Sequence, residues 1–171
     1  MRAGLIVLAL LGACNGGSEQ RSKEHVPEQQ DLVQAARDAV KLEDRDIDLY
    51  EKRFGLDLSR SGTGVRHRIL RDAPGDSVAP GQWAKVNYRL ELLNGDTAYT
   101  TSPSEPESFL VEHDNVESGL HEAIQHLSPG DSALIIIPSY RAHGLIGDMD
   151  KVPPRSSVVY FIGLVAITPD E

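Results

Sequence analysis

The segment WAKVNYRLELLNGD, Trp83–Asp96, constrains this chain more than any other. Val86, Tyr88, Leu90 and Leu92 fall on one side of an extended backbone, and Lys85, Asn87, Arg89 and Glu91 on the other. That period of two is the signature of a strand with one buried face. Asn94-Gly95 then supplies the residue types that tolerate positive φ in a two-residue hairpin turn, so the chain returns antiparallel through Thr97–Thr101. A hairpin cannot bury its apolar face alone in water; it needs further strands and an element to cover them.

The rest of the chain supplies both. Val65–Leu70, Ser108–Val111 and Ser157–Thr168 read as strands, and Ala133–Ile137 as a strand without polar alternation, hence buried. Val116–Leu127 places Val116, Leu120, Ile124 and Leu127 along one helical side, and Ser128-Pro129-Gly130-Asp131 is a turn. A sheet with one helix across it is an α+β architecture. Two more helical patterns come before it. Glu28–Lys41 carries Leu32, Val33, Ala36, Ala39 and Val40; Glu43–Phe54 carries Ile47, Tyr50 and Phe54, with Gly55 as a stop. They carry no chemistry and suggest packing, or pairing of two copies into a homodimer. The polar, glycine-bearing Ser59–Gly64 separates them from the strands.

The N-terminus has a different character. Arg2 is followed by an apolar run, Leu5–Leu11, too short to span a bilayer and typical of a signal peptide. Leu11-Gly12-Ala13-Cys14 resembles the bacterial lipobox, in which the cysteine is lipidated and becomes the first mature residue. Cys14 is the only cysteine, so the chain forms no internal disulfide. Asn15–Pro27 is polar and aperiodic, as a tether would be. The expected organisation is a signal peptide over 1–13, a lipidated tether over 14–27, a helical appendage over 28–58 and one domain over 64–168. The expected location is the bacterial cell envelope, with the domain outside the cytoplasm. Asn15 rather than an aspartate favours the outer membrane.

Composition removes several functions. A net charge of -9 argues against a nucleic-acid partner, which requires clustered Lys and Arg. His121 and His126 invite a zinc reading, but they are five apart, roughly 500° around a helix at 100° per residue, and a helical pair needs i and i+4. Solvated helix polarity accounts for them, and no metal ligand set is expected. No glycine-rich phosphate loop precedes a helix, and the hydroxyl residues carry no nucleophile signature. One chemistry needs only apolar and aromatic residues and a placed donor: rotation about an X-Pro bond. Its barrier is about 20 kcal/mol, no covalent bond breaks, and an apolar, water-poor pocket favours the twisted amide. It requires no cofactor.

The order of motifs resembles the FKBP-type peptidyl-prolyl isomerases over about Gly64–Ile167. VNYRLELLNGD (Val86–Asp96), VESGLHEAIQHLSPGDSALIIIP (Val116–Pro138), AHG (Ala142–Gly144) and VPPRSSVVYFIGLV (Val152–Val165) follow the family's order and nearly its spacing. The resemblance implies a curved antiparallel sheet wrapped around one short helix, here preceded by two N-terminal helices. It implies catalytic positions at Tyr88, Tyr99 and His143, and substrate-binding positions at Val116, Glu117, Leu120, Val152 and Tyr160. His143 stands on a flap, Ser139–Lys151, released where Pro138 ends the strand ladder. The implied partners are proline-containing polypeptides, and a membrane reached through the lipid anchor. With its lipobox, tether and helices, the chain is similar to the gliding-motility-associated isomerase lipoproteins of bacteria. It departs from the family at Ala98-Tyr99, where a Phe-Asp pair with a buried acid is usual. It departs again at Glu107 for an aromatic, Glu117 for an aliphatic and His143 for a tyrosine. These departures favour a second reading, a non-catalytic FKBP-like chaperone or binding module of an envelope complex.

Overall fold

The structure is a computed structural model in which residues 28–169 are described. The signal peptide, Cys14 and the tether fall outside the described residues. The order is α1 (Gln29–Phe54), β1 (Ser59–Arg60), β2 (Arg66–Arg71), β3 (Gln82–Leu92), β4 (Thr97–Thr100), β5 (Glu107–Leu110), α2 (Ser118–Ile124), β6 (Ser132–Ile137) and β7 (Val158–Pro169). All seven strands form one antiparallel sheet ordered β1-β2-β6-β7-β3-β4, with β5 paired to β3 alongside β4. β3 pairs with β7 from Gln82 to Leu92 on one edge and divides its other edge between β5 and β4. Among the described residues no helix is long and apolar enough to cross a membrane.

β6 explains its own unbroken run of aliphatics, because both faces are covered. Ala133, Ile135 and Ile137 join the core that includes Leu120, Ala123 and Ile124 of the α2 side. Leu134 and Ile136 point the other way, to Ile47 and Tyr50 of α1. A strand buried on both sides has no polar face to alternate with. α2 is pressed against β6 at Gly119, where a Cβ would collide with the Ile137 side chain. α2 is shorter than the helical pattern of the sequence, which spans Val116–Leu127.

The two expected N-terminal helices are one. α1 runs 26 residues without interruption, capped by a Glu28–Asp31 capping box and ended by Gly55 in the left-handed conformation. Lys41, Leu42 and Glu43 contain no glycine or proline to break it. The change in apolar phase at that point marks a change in what the helix touches. Its first half leaves Leu32, Val33 and Val40 exposed, while its second half buries Ile47 and Tyr50 on the back of the sheet.

The helical segment, expected as an appendage, is therefore docked on the 64–168 domain through its second half, and two polar clasps fix it there. Arg66 of β2, 3% exposed, donates to Asp44, Asp48 and Glu51 at 2.6, 2.6 and 2.7 Å. Those acids recur at helical spacing along one side of α1. One residue before Asp44, Glu43 accepts from the Ser139 backbone N–H and hydroxyl and from the Ser157 hydroxyl, at 2.5, 2.9 and 2.5 Å. Ser139 and Ser157 bracket the long connection between β6 and β7.

Candidate functional site

A cavity of about 620 Å³ opens on the α2 face of the sheet. β3 supplies Val86, Tyr88 and Leu90 to its wall, because the period of two turns all three to one side. Leu120 of α2 lies beneath, Phe109 of β5 and Tyr160 of β7 close two sides, and Val116 stands just before α2. The Tyr88 and Tyr160 rings meet edge to face with centroids 5.5 Å apart. The β6–β7 connection covers the mouth with Ala142, His143 and Asp148.

Three tyrosines line this cavity, and each hydroxyl donates to a carboxylate that lines it too. Tyr88 bonds Glu107 at 3.0 Å, Tyr160 bonds Glu117 at 2.8 Å and Tyr99 bonds Asp148 at 2.5 Å. Burial and the neighbouring carboxylates push all three phenols up; Tyr99, governed first by its bond to Asp148, reaches about 12. Burial alone would raise Asp148, but Tyr99 and the backbone N–H groups of Asp150 and Val152 hold its carboxyl down to about 2. Lys151 sits 4.7 Å over the Tyr99 ring.

Of the residues named from the sequence, Tyr88, Tyr99, Val116, Glu117, Leu120, His143 and Tyr160 share this cavity. Val152 does not. It is buried in the core, 2% exposed, and its backbone N–H donates to Asp148 at 2.8 Å. It serves the flap from below because Gly147 turns the chain back over it. Asp148 is a cavity acid that no sequence pattern marked; the Ala98-Tyr99 departure removes an acid from β4, and the flap brings one to the Tyr99 hydroxyl. His121, expected on a solvated helix face, is buried at 7% exposure. Its Nδ1 accepts from the Glu112 N–H and its Nε2 donates to the Asp114 carbonyl, so it splints the turn between β5 and α2. The reason is the irregular 110–117 segment, whose backbone groups have no ladder to join.

His143 and Glu117 link flap to helix. Nε2 of His143 lies 2.9 Å from Oε1 of Glu117, whose side chain is 8% exposed, an ion-pair contact in which the ring N–H is not aligned for a hydrogen bond. This leaves Nδ1 as the ring nitrogen for a ligand. The Glu117 contact raises the imidazole above its ordinary 6.5 against the opposing effect of burial. Burial would raise Glu117, but His143, its own backbone and Tyr160 hold it below 4.5. The raised histidine stabilises fully below pH 6.5 and fades as pH rises through its folded value. The depressed glutamate stabilises fully above pH 4.5 and fades as pH falls. The pair is thus complete between pH 4.5 and 6.5. His143→Gln should lower Tm by roughly 3 °C, corresponding to about 1 kcal/mol, in that window, and by progressively less at alkaline pH. Equal losses across a thermal-denaturation pH series would show that the pair carries no charge.

Comparison with known proteins places this cavity in a family context. A family model described as FKBP-type peptidyl-prolyl cis-trans isomerase matches residues 75–165. A Haemophilus influenzae protein, "Probable FKBP-type peptidyl-prolyl cis-trans isomerase", is 23% identical over 115 residues, covering 67% of this chain and 47% of its own. FK506-binding protein 1 of Kluyveromyces lactis is 31% identical over 104 residues, covering 58% of this chain and 91% of its own. This chain spans less than half the length of the Haemophilus protein. The solved structure of FkpA from Escherichia coli superposes with a TM-score of 0.66 at 23% identity, over 84% of this chain and 75% of that one.

Proposed function

The chain belongs to the FKBP-type peptidyl-prolyl cis-trans isomerase family, and from that premise we propose that it catalyses X-Pro rotation in proline-containing polypeptides. The observation that carries this reading is the cavity itself. Val86, Leu90, Phe109, Leu120 and the two edge-to-face tyrosines offer an apolar lining at the position of the family match. A planar amide owes its polarity to resonance, which is lost as the bond twists. An apolar wall favours the less polar twisted form, and a donor at the rim can hold the peptide carbonyl while the prolyl ring turns. With Nε2 turned to Glu117, Nδ1 of His143 is the flap donor in this scheme when the imidazole is protonated. A protease-coupled assay on proline peptides with the full chain tests it; kcat/KM indistinguishable from the uncatalysed rate defeats it.

The Leu11–Cys14 motif and the polar segment after it support a lipid-anchored protein of the bacterial envelope that assists folding there. The same arrangement supports a link with gliding motility. The exposed Leu32, Val33 and Val40 of α1 support pairing of two copies through the helices. Cys14→Ala should abolish labelling by a fatty-acid analogue and move the protein to the soluble fraction; unchanged labelling refutes the anchor. A second reading, a binding module without turnover, is favoured by one observation. Tyr88, Tyr99 and Tyr160 all spend their hydroxyls on carboxylates rather than on a ligand.

A further inference from the structure

The cavity of this proposed isomerase is unevenly charged. Glu107, Glu117 and Asp148 line it, and no Lys or Arg does. His143 is the one titratable cation among the lining residues, and it is committed to Glu117. Glu107 and Asp148 are held instead by neutral phenols, which orient a carboxylate but do not cancel its charge. Glu107 lies on β5 and Asp148 on the flap, both line the cavity, and neither forms an ion pair among the described residues, so an entering peptide meets both carboxylates. A second observation points the same way: Lys151, a cation of the chain itself, lies over the ring of Tyr99, whose hydroxyl bonds Asp148 and Asp150.

We infer that this site selects proline peptides with a Lys or Arg next to the proline and rejects those with Asp or Glu there, with Glu107 and Asp148 as the specificity-determining residues. The inference rests on the isomerase reading for its substrate class and adds the charge of the neighbouring residue. A cationic side chain pairs with a carboxylate already aimed into the opening, so little ordering is left to pay. An acidic one meets two like charges and must shed water against them. Exposed pairs of this kind contribute modestly and are screened by salt.

The test is a set of proline peptides identical except for Lys, Leu or Glu placed immediately before or immediately after the proline. With the full chain at low salt, kcat/KM for the better Lys peptide should exceed that for its Glu counterpart by about fivefold or more. The ratio should shrink toward one at about 0.5 M salt, where screening is nearly complete. Glu107→Gln should reduce the Lys-to-Glu ratio, which a merely structural role for Glu107 would leave unchanged. A ratio near one at both positions in the wild type, with Leu peptides turning over normally, overturns the inference and spares the isomerase reading. If no peptide turns over, the isomerase reading falls. The same peptides titrated for binding then decide the inference, upheld by preference for Lys and overturned by equal affinities.

Discussion

Arg66→Ala should cost the fold about 3 kcal/mol and lower Tm by roughly 8 °C. The guanidinium is 3% exposed and bonds three carboxylates on α1. Its removal leaves Glu51, with its side chain 18% exposed, without a cation, whereas Asp44 keeps Arg60 at 2.9 Å and Asp48 at 61% can turn to water. Breaking a buried pair from one side typically costs about 3–5 kcal/mol, and the partial wetting of these acids sets the lower end. Glu51→Gln in the Arg66→Ala background should restore part of the loss, because the part-buried charge left without its cation is then gone. Urea denaturation measures both; a loss under about 1 kcal/mol would mean that α1 is held by Ile47, Tyr50 and the Glu43 clasp without need of Arg66.

The second large effect is expected at the flap. Gly147 has φ +71°, and a Cβ there would drive into the backbone of Val152 and Pro153. Gly147→Ala must therefore displace Asp148, the next residue, from Tyr99 and from the N–H of Val152. Misplacement by about 1 Å at a reacting site can cost on the order of 100-fold, so kcat/KM should fall at least tenfold while the protein remains folded. Gly144→Ala is the matched comparison. Gly144 also has positive φ, at +66°, but nothing lies within 4 Å of its would-be Cβ. It carries the left-handed strain of about 1–2 kcal/mol without the collision. Equal kinetic losses in the two variants would show that conformational strain, and not the position of Asp148, governs the flap.

Local patterns made the sheet legible. β3, β6 and β7 were each marked by alternation or by an unbroken aliphatic run, and they lie within a residue or two of where the sequence put them. The motif order placed seven of the eight named pocket positions on one cavity. What stayed hidden depends on contacts between distant segments. Tyr99 meets Asp148 49 residues later, and Glu43 meets Ser157 114 residues later. No period or spacing encodes such a pair, because each member looks like ordinary surface polarity within its own segment. The spacing of Asp44, Asp48 and Glu51 on one helical side was a readable sign that α1 faces a cation. The match for it is a single arginine in the polar-looking RHRILR of β2.

The Glu43 clasp changes where the working unit of this protein begins. The family match starts at residue 75, yet both ends of the connection that carries His143 and Asp148 are tied to a carboxylate 32 residues upstream. A recombination or a proteolytic cut between α1 and β2 would keep every residue of the cavity wall and still unfasten its cover. α1 is thus a lever on the pocket, and tension drawn along it arrives at Ser139 and Ser157 before it reaches the floor at Leu120.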